Sequence, residues 1–525
     1  MQRRIFFTAA AATAMLARPA LAAAPNALRF VPQASLGNMD PIWGTQMVVR
    51  NAAMLVWDTL YGMDADLVPR RQMVESEEVS PDGLTWRFRL REGLRFHDGE
   101  PVLARDAVAS LERWSARDSM GQMIRARQQE LVAVDDREFR WTLRQPFPRM
   151  LQALAKIGAP CTFVMPERIA RTDPFRQIGE IVGSGPLRFE ADAWVPGVSA
   201  AFSRFAQYRP REEASSWLAG GKRVALDRVE WVVMPDPATA AATLQNGEVD
   251  WWEAPLPDLV PHLRRRRDVR VDIADPLGNV GVLRMNCLHP PFDDVRIRRA
   301  VMAAIDQADY MQAVAGSDTA MWRRMPSYFT PGTPLYTEAG GEILRDGPRL
   351  EAARRMLAEA GYDGRPVVML VAQDNAITKA HGDVTADLLR RLGMNVRDVA
   401  TDWGTVATRR ASREPVEKGG WSIFFTWFSG VDCATPAGYN GLRGHGAEAW
   451  FGWPSVPAIE AARDAWFMAG DAAAEKAAID RLSRAAMDGV PYIPTGFFLA
   501  HQAWRSGVSG IEKAPLPLFW NVSKA

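Results

Sequence analysis

The chain has 525 residues, enough for two or three domains with full hydrophobic cores. Its 47% apolar and 24% charged content is that of a folded protein and excludes a disordered or low-complexity chain. With 63 basic against 62 acidic residues, no overall field selects nucleic acid or an anionic membrane, and the seven Lys among 56 Arg read as biased base composition.

The first stretch, "MQRRIFFTAAAATAMLARPALAAAP", puts Arg3-Arg4 before an apolar run from Ile5 to Ala17, with small residues at Ala20, Ala22 and Ala24. This is the pattern of a secretory signal peptide over residues 1–22, cleaved after Ala22 or Ala24, and the paired arginines resemble the twin-arginine export signal. No cysteine follows to carry a lipid, and no other run reaches the roughly eighteen apolar residues of a membrane span, so the periplasm is the expected location. Cys161, Cys287 and Cys433 are too few and too scattered for a disulfide framework and are expected as buried small hydrophobes.

In "LTWRFRL" (Leu84 to Leu90), Trp86, Phe88 and Leu90 alternate with arginines, predicting a half-buried antiparallel strand. Leu94 to Phe96 is expected to resume as a short strand. The next stretch, "FHDGEPVLARDAV", holds a His-Asp pair that looks like acid/base equipment, but it sits between strand and helix and reads as a turn. A helix follows, with Ala104, Ala107, Val108, Leu111 and Trp114 on one face.

"GSGPLRF" (Gly183 to Phe189) reads as a tight turn entering a strand, and Val229 to Pro235 as another strand. A helix is predicted from Ala238 to Gln245, stopped by Asn246-Gly247, with a strand through Val249 to Trp251. Asp293 or Asp294 caps an amphipathic helix running toward Asp306, and Leu350 to Tyr362 forms a helix ending at Gly361. A strand at Val367 to Val371, a helix around Asp383 to Leu392 and a strand at Asn395 to Val399 complete an alternation that implies α/β layers.

No catalytic constellation emerges. Ser184 lacks the first glycine of a nucleophile elbow and is followed by Gly185-Pro186. The six histidines include no pair at metal-ligand spacing, so neither metal nor cofactor is expected. Glu253 after Trp251-Trp252 could serve a secreted hydrolase only with a second carboxylate that sequence does not place, and Arg264 to Arg267 reads as a solvated helix end.

The ordered segments "SPDGLTWRFRLREGLRFHDGEPVLARDAVASLERW", "GSGPLRF", "LDRVEWVVMPDPATAAATLQNGEVDWWE", "MNCLHPPFDDVRIRRAVMAAID" and "ARRMLAEAGY" are similar to the family-5 solute-binding proteins, the dipeptide, oligopeptide and nickel receptors of ABC importers. The resemblance implies a two-lobed periplasmic-binding-protein fold of α/β class, with a hinge and an extra domain inserted in the first lobe. Lobe I is then expected from residues 25–48, 178–280 and 489–525, the insertion over 49–177, and lobe II over 281–488. A small organic solute would lie between lobes that close on it, and the closed monomer would engage the permease subunits of the importer.

Residues 421 to 453 hold nine aromatics, about three times the average density for the chain. Trp421 and Phe424 are expected in the core. Trp427, by contrast, introduces the loop "FSGVDCATPAGYN", whose counterpart in the peptide receptors supplies an aspartate for the α-ammonium of the ligand. Here Gly430 stands where that acid is common, and the nearest acid is Asp432. Either Asp432 has taken the role across a small insertion, or the ligand is not a peptide, leaving a metal chelate or opine-like compound open. Trp43, Trp322 and Trp403 are further candidates, because related segments face the cleft.

Overall fold

The computed structural model describes residues 26–525, so the signal-peptide segment lies outside the described residues. Two large sheets organise it. A seven-stranded sheet runs, edge to edge, through 269–273, 501–505, 251–252, 27–31, 228–232, 199–204 and 187–189, with 27–31 parallel to both 228–232 and 251–252. A six-stranded sheet runs through 322–323, 493–498, 279–285, 423–429, 366–372 and 395–401. Its strand Asn279–Met285 pairs antiparallel with both neighbours, while 423–429, 366–372 and 395–401 are mutually parallel.

The chain passes between these sheets at 274–278 and again at 499–500. The tail expected to serve the first lobe from Gly489 is therefore divided. Ile493–Phe498 belongs to the six-stranded sheet, and His501–Arg505 joins the seven-stranded one. The expected boundary at residue 48 falls inside a continuous helix, Met47–Val56.

A separate four-stranded antiparallel sheet, in the order 74–79, 85–90, 138–143 and 128–133, lies within the expected insertion and carries the helix Ala104–Arg117, against which the helix Ser119–Arg127 packs. The alternation in Thr85–Leu90 does as period two requires: Trp86, Phe88 and Leu90 are buried, and Phe88 stacks on Phe139 across the ladder at 5.0 Å. Leu94 to Phe96 is no strand; Arg95 makes a single bridge to Pro101, because the chain turns again at Asp98.

The His97-Asp98 turn meets the Gly183-Ser184-Gly185 turn directly. His97 Nε2 donates to the Gly185 carbonyl at 3.0 Å, and Nδ1 accepts from the Gly183 N–H at 3.3 Å, a pattern that needs the neutral ring. Burial pushes its pKa down to about 4. A side chain on Gly183 would collide with the Val56 carbonyl, so glycine is what allows this close approach. The Ser184 hydroxyl donates to the Val164 carbonyl and accepts from the Asp58 N–H, both at 3.1 Å. The hydroxyl thus has a structural task, and both nitrogens of His97 are spent on the flanking glycines.

The predicted helices form with modest boundary changes. Asp294 caps Val295–Ala304 through the Arg296 N–H, and a second helix, Gln307–Ala315, follows. Pro237–Asn246 ends at Gly247 and Leu350–Ala360 at Gly361, both left-handed. The helix expected from Asp383 begins earlier, at Ala376, capped by Asn375. Of the cysteines, Cys161 and Cys433 are buried, while Cys287 is only half-buried.

Candidate functional site

A cleft divided into two adjoining chambers lies between the sheets. One chamber, of about 110 Å³, is bounded by Gln33, Met47 and Arg50 on one side and by Trp403, Arg410, Trp427 and Asp432 on the other. The other, of about 90 Å³, shares Gln33, Met47, Arg50 and Trp427, and adds Glu253, Asp275 and Gln502. The inserted domain also contributes, through Gly158 and Ala159.

The second-lobe wall grows from the strand Ile423–Ser429. Its first residues are buried in the sheet, and Trp427 near its end reaches the cleft half-exposed. The chain then turns at Gly430, whose N–H donates to the Gly278 carbonyl at 2.7 Å. A β-carbon at 430 would sit 1.8 Å from the Leu277 carbonyl oxygen, so no side chain fits where the family resemblance led one to look for an acid. Asp432 follows. Main-chain anchors hold the loop: Arg463 donates to the Pro436 and Ala437 carbonyls at 3.0 Å, and Tyr439 Oη to the Tyr328 carbonyl at 2.7 Å.

Trp403 opens the helix Trp403–Arg409, which Asp402 caps through the Thr405 N–H at 2.9 Å. Its N–H donates to Asp374 Oδ1 at 2.8 Å, and its ring lies 6.5 Å from that of Trp427 at an interplanar angle of 30°. These two tryptophans and Asp432 are brought together. Trp43 and Trp322 are not among the residues bounding either chamber. Trp43 is 38% exposed on a turn that Asp40 pins to Arg113 of the inserted domain, and Trp322 lies in an edge strand with its Nε1 donating to the Gly316 carbonyl at 3.0 Å.

The electrostatics are uneven. Burial pushes Glu253 and Asp275 up to about 7 each, and raises Asp432 as well, with Arg50 opposing all three. Glu253 accepts from the Gln33 N–H at 2.8 Å and from Asn51 at 3.3 Å, and Asp275 from the Leu277 N–H at 2.8 Å. Asp432 Oδ1 is buried with no partner. Arg50 bonds to Asn51 Oδ1 and the Pro515 carbonyl, both neutral. Arg50, Arg410 and Asp275 were invisible to motif reasoning: an arginine among 56 carries no signal, and Asp275 matters only because the chain crosses between sheets there. Glu253 was noticed for its tryptophan neighbours, and the structure places it half-buried on the wall of the second chamber. Among the described residues, no group of three or more His, Cys, Asp or Glu is gathered to hold a metal ion.

Two α/β lobes enclosing a buried, aromatic-walled and charged cleft define a two-lobed binding protein. The chain belongs to the bacterial extracellular solute-binding proteins of family 5: the model described as family 5 Middle matches residues 68–449. A probable peptide ABC transporter periplasmic-binding protein, y4tO of Sinorhizobium fredii NGR234, is 35% identical over 100% of this chain and 99% of its own length. The glutathione-binding protein GsiB of Pectobacterium atrosepticum is 28% identical over 82% of this chain and 79% of its own. Among solved structures, the PBP AgaA from A. tumefacien R10 in complex with agropinic acid superposes with a TM-score of 0.79 at 19% identity, over 95% of this chain and 99% of that one. The chain is thus a solute-binding protein of the ABC-importer type, in a family of extracytoplasmic proteins. No helix among the described residues is long and apolar enough to cross a membrane.

Proposed function

We propose that this protein captures a small peptide or peptide-like solute in the cleft between its lobes, in the periplasm, and delivers it unchanged to the permease subunits of an ABC importer. The observation that carries this reading is Asp432: a half-buried carboxylate in the cleft whose Oδ1 is buried and unpartnered, on the loop that follows Trp427. An ammonium group supplies the missing donor and the missing charge together. The full-length relative is named for peptides and a second relative for glutathione, itself a peptide bearing an amino group and carboxylates. The lobes would be the two sheets with their helices, joined at 274–278 and 499–500, and Trp403 and Trp427 would stack on the body of the solute.

Calorimetric titration of the purified protein and of Asp432→Ala with di- and tripeptides tests the reading. Wild type is expected to bind members of the panel and the variant to lose most of that affinity. Unchanged peptide binding by the variant rejects the role of Asp432, and a panel with no binder rejects the peptide reading. Mass spectrometry of the recovered solute separates a receptor from a hydrolase using Glu253 or Asp432, since a receptor returns it intact.

A further inference from the structure

Apart from Arg410, the buried arginines of the second lobe have acceptors: Arg443 pairs with Glu460, and the rest bond to main-chain oxygen. Arg284 donates to the carbonyls of Phe451, Gly441, Pro491 and Trp450 at 2.5–3.0 Å, and Arg298 to those of Phe292, Asp293, Gly489 and Val490 at 2.6–3.1 Å. Each spends its N–H groups on holding loops in place.

Arg410 departs from this pattern. It is 6% exposed, at the C-terminal end of the helix Trp403–Arg409, and lines the same chamber as Asp432. Its side chain has no hydrogen bond and no ion pair among the described residues, and its Nε is buried without an acceptor. What surrounds it is aromatic: the guanidinium carbon lies 4.6 Å from the centre of the Phe451 ring, 5.4 Å from Trp450, and 5.7 Å from both Trp403 and Phe424. Burial pushes its pKa down to about 10, so it stays charged at neutral pH.

Rings and guanidinium interact through the π faces. The five N–H donors lie in the guanidinium plane and still need acceptors. A place at the end of a helix favours positive charge there but supplies Nε with nothing. A buried charge without a partner is strongly unfavourable, and a cleft that receives a solute is where the partner can be supplied from outside.

We propose that Arg410 is the anion subsite of the cleft, taking a carboxylate of the solute through paired N–H···O bonds in the guanidinium plane while the surrounding rings fix that plane. The inference rests on reading the cleft as the solute site, and it narrows the solute to molecules carrying both an ammonium group, for Asp432, and a carboxylate, for Arg410. A planar, two-oxygen acceptor suits the arginine fork.

Two probe pairs test it. Tri-alanine and tri-alanine amide differ only in the C-terminal charge; by calorimetry, wild type is expected to prefer the acid by about 10- to 100-fold. Arg410→Gln is expected to lose that preference, and Arg410→Lys to keep part of it. Acetate and acetamide question the guanidinium alone: acetate is expected to shift the Arg410 Nε–H resonance of the wild-type protein, and acetamide to leave it in place. Equal affinity for acid and amide in wild type, or a preference surviving in Arg410→Gln, overturns the proposal. Tri-alanine binding without such preference, and with no acetate shift, leaves the peptide reading standing and removes the subsite. An acetate shift with no peptide binding does the reverse. If Arg410→Gln does not fold, the wild-type preference and the resonance decide.

Discussion

Charge is buried in two different ways in this molecule. Around the inserted domain, Lys222 meets Asp58 at 2.8 Å, Arg113 meets Asp40 at 2.8 Å, and Lys156 pairs with Asp118, all six side chains being buried. Tyr208 and the Thr59 N–H complete the shell of Asp58, and together these partners hold its pKa below the usual carboxylate range despite burial. In the cleft, Asp275 and Arg410 are buried and Glu253 and Asp432 half-buried, yet none forms an ion pair among the described residues, and all are displaced toward their neutral forms. The scaffold closes its own electrostatic circuits, whereas the cleft leaves its ends open.

Breaking a closed pair should have the largest effect. Lys222→Met leaves Asp58 buried without a counter-charge and is expected to cost about 3–5 kcal/mol, read from urea unfolding followed by tryptophan fluorescence. A loss below 1 kcal/mol would mean the pair is not structural. Removing an open charge should act on binding instead: Asp432→Ala is expected to weaken tri-alanine about 10- to 100-fold with little change in stability of the ligand-free protein.

The pH dependence sharpens the contrast, because the two regions have opposite signs. Asp275 has a folded pKa near 7 against a reference of 3.8, so the folded state holds its proton more tightly and ligand-free stability falls as pH rises between those values. Asp275→Asn keeps the acceptor for Leu277 and is expected to be more stable than wild type by up to about 4 kcal/mol at pH 8, converging with it near pH 4. His97, with a folded pKa near 4 against 6.5, does the reverse: its contribution is complete above pH 6.5 and is lost as pH falls toward 4. His97→Gln should cost about 1 kcal/mol at pH 7, flatten the acid side of the stability profile and leave tri-alanine affinity unchanged. A large loss of affinity in a folded His97 variant would return that residue to the site. The smallest effect is expected from Gly158→Ala, whose β-carbon would stand 2.4 Å from Asp432 Oδ1; rotation of the carboxylate should limit the loss to about two- to fivefold in affinity.

Local rules made much of the fold legible. Period two in Thr85–Leu90, the cap at Asp294 and the left-handed stops at Gly247 and Gly361 act within a few residues, and the chain obeys them. Boundaries failed where long-range pairing decides: Ile493–Phe498 joins the second sheet because Asn279–Met285 lies beside it, which no window around residue 495 contains. Among the candidate residues, the Trp427 loop stood out by composition and led to Asp432, whereas Trp403, Trp43 and Trp322 were reached because related segments face the cleft. Trp43 and Trp322 show the limit of that route, since tryptophan marks a contact surface without saying which one. Arg410 had no signature at all; its distinction is a set of missing acceptors, which exists only in three dimensions.

The bond from the Gly430 N–H to the Gly278 carbonyl joins the loop of Asp432 to one of the two places where the chain changes sheet. Because a side chain at 430 would strike the Leu277 carbonyl, that contact leaves no slack. Any bending of the molecule at this crossing would therefore move the loop bearing Asp432, as a handle moves with its door. With Asp432 holding the solute as proposed, grip and posture would be one mechanical coordinate, and the residence time of a solute would measure how often that joint flexes.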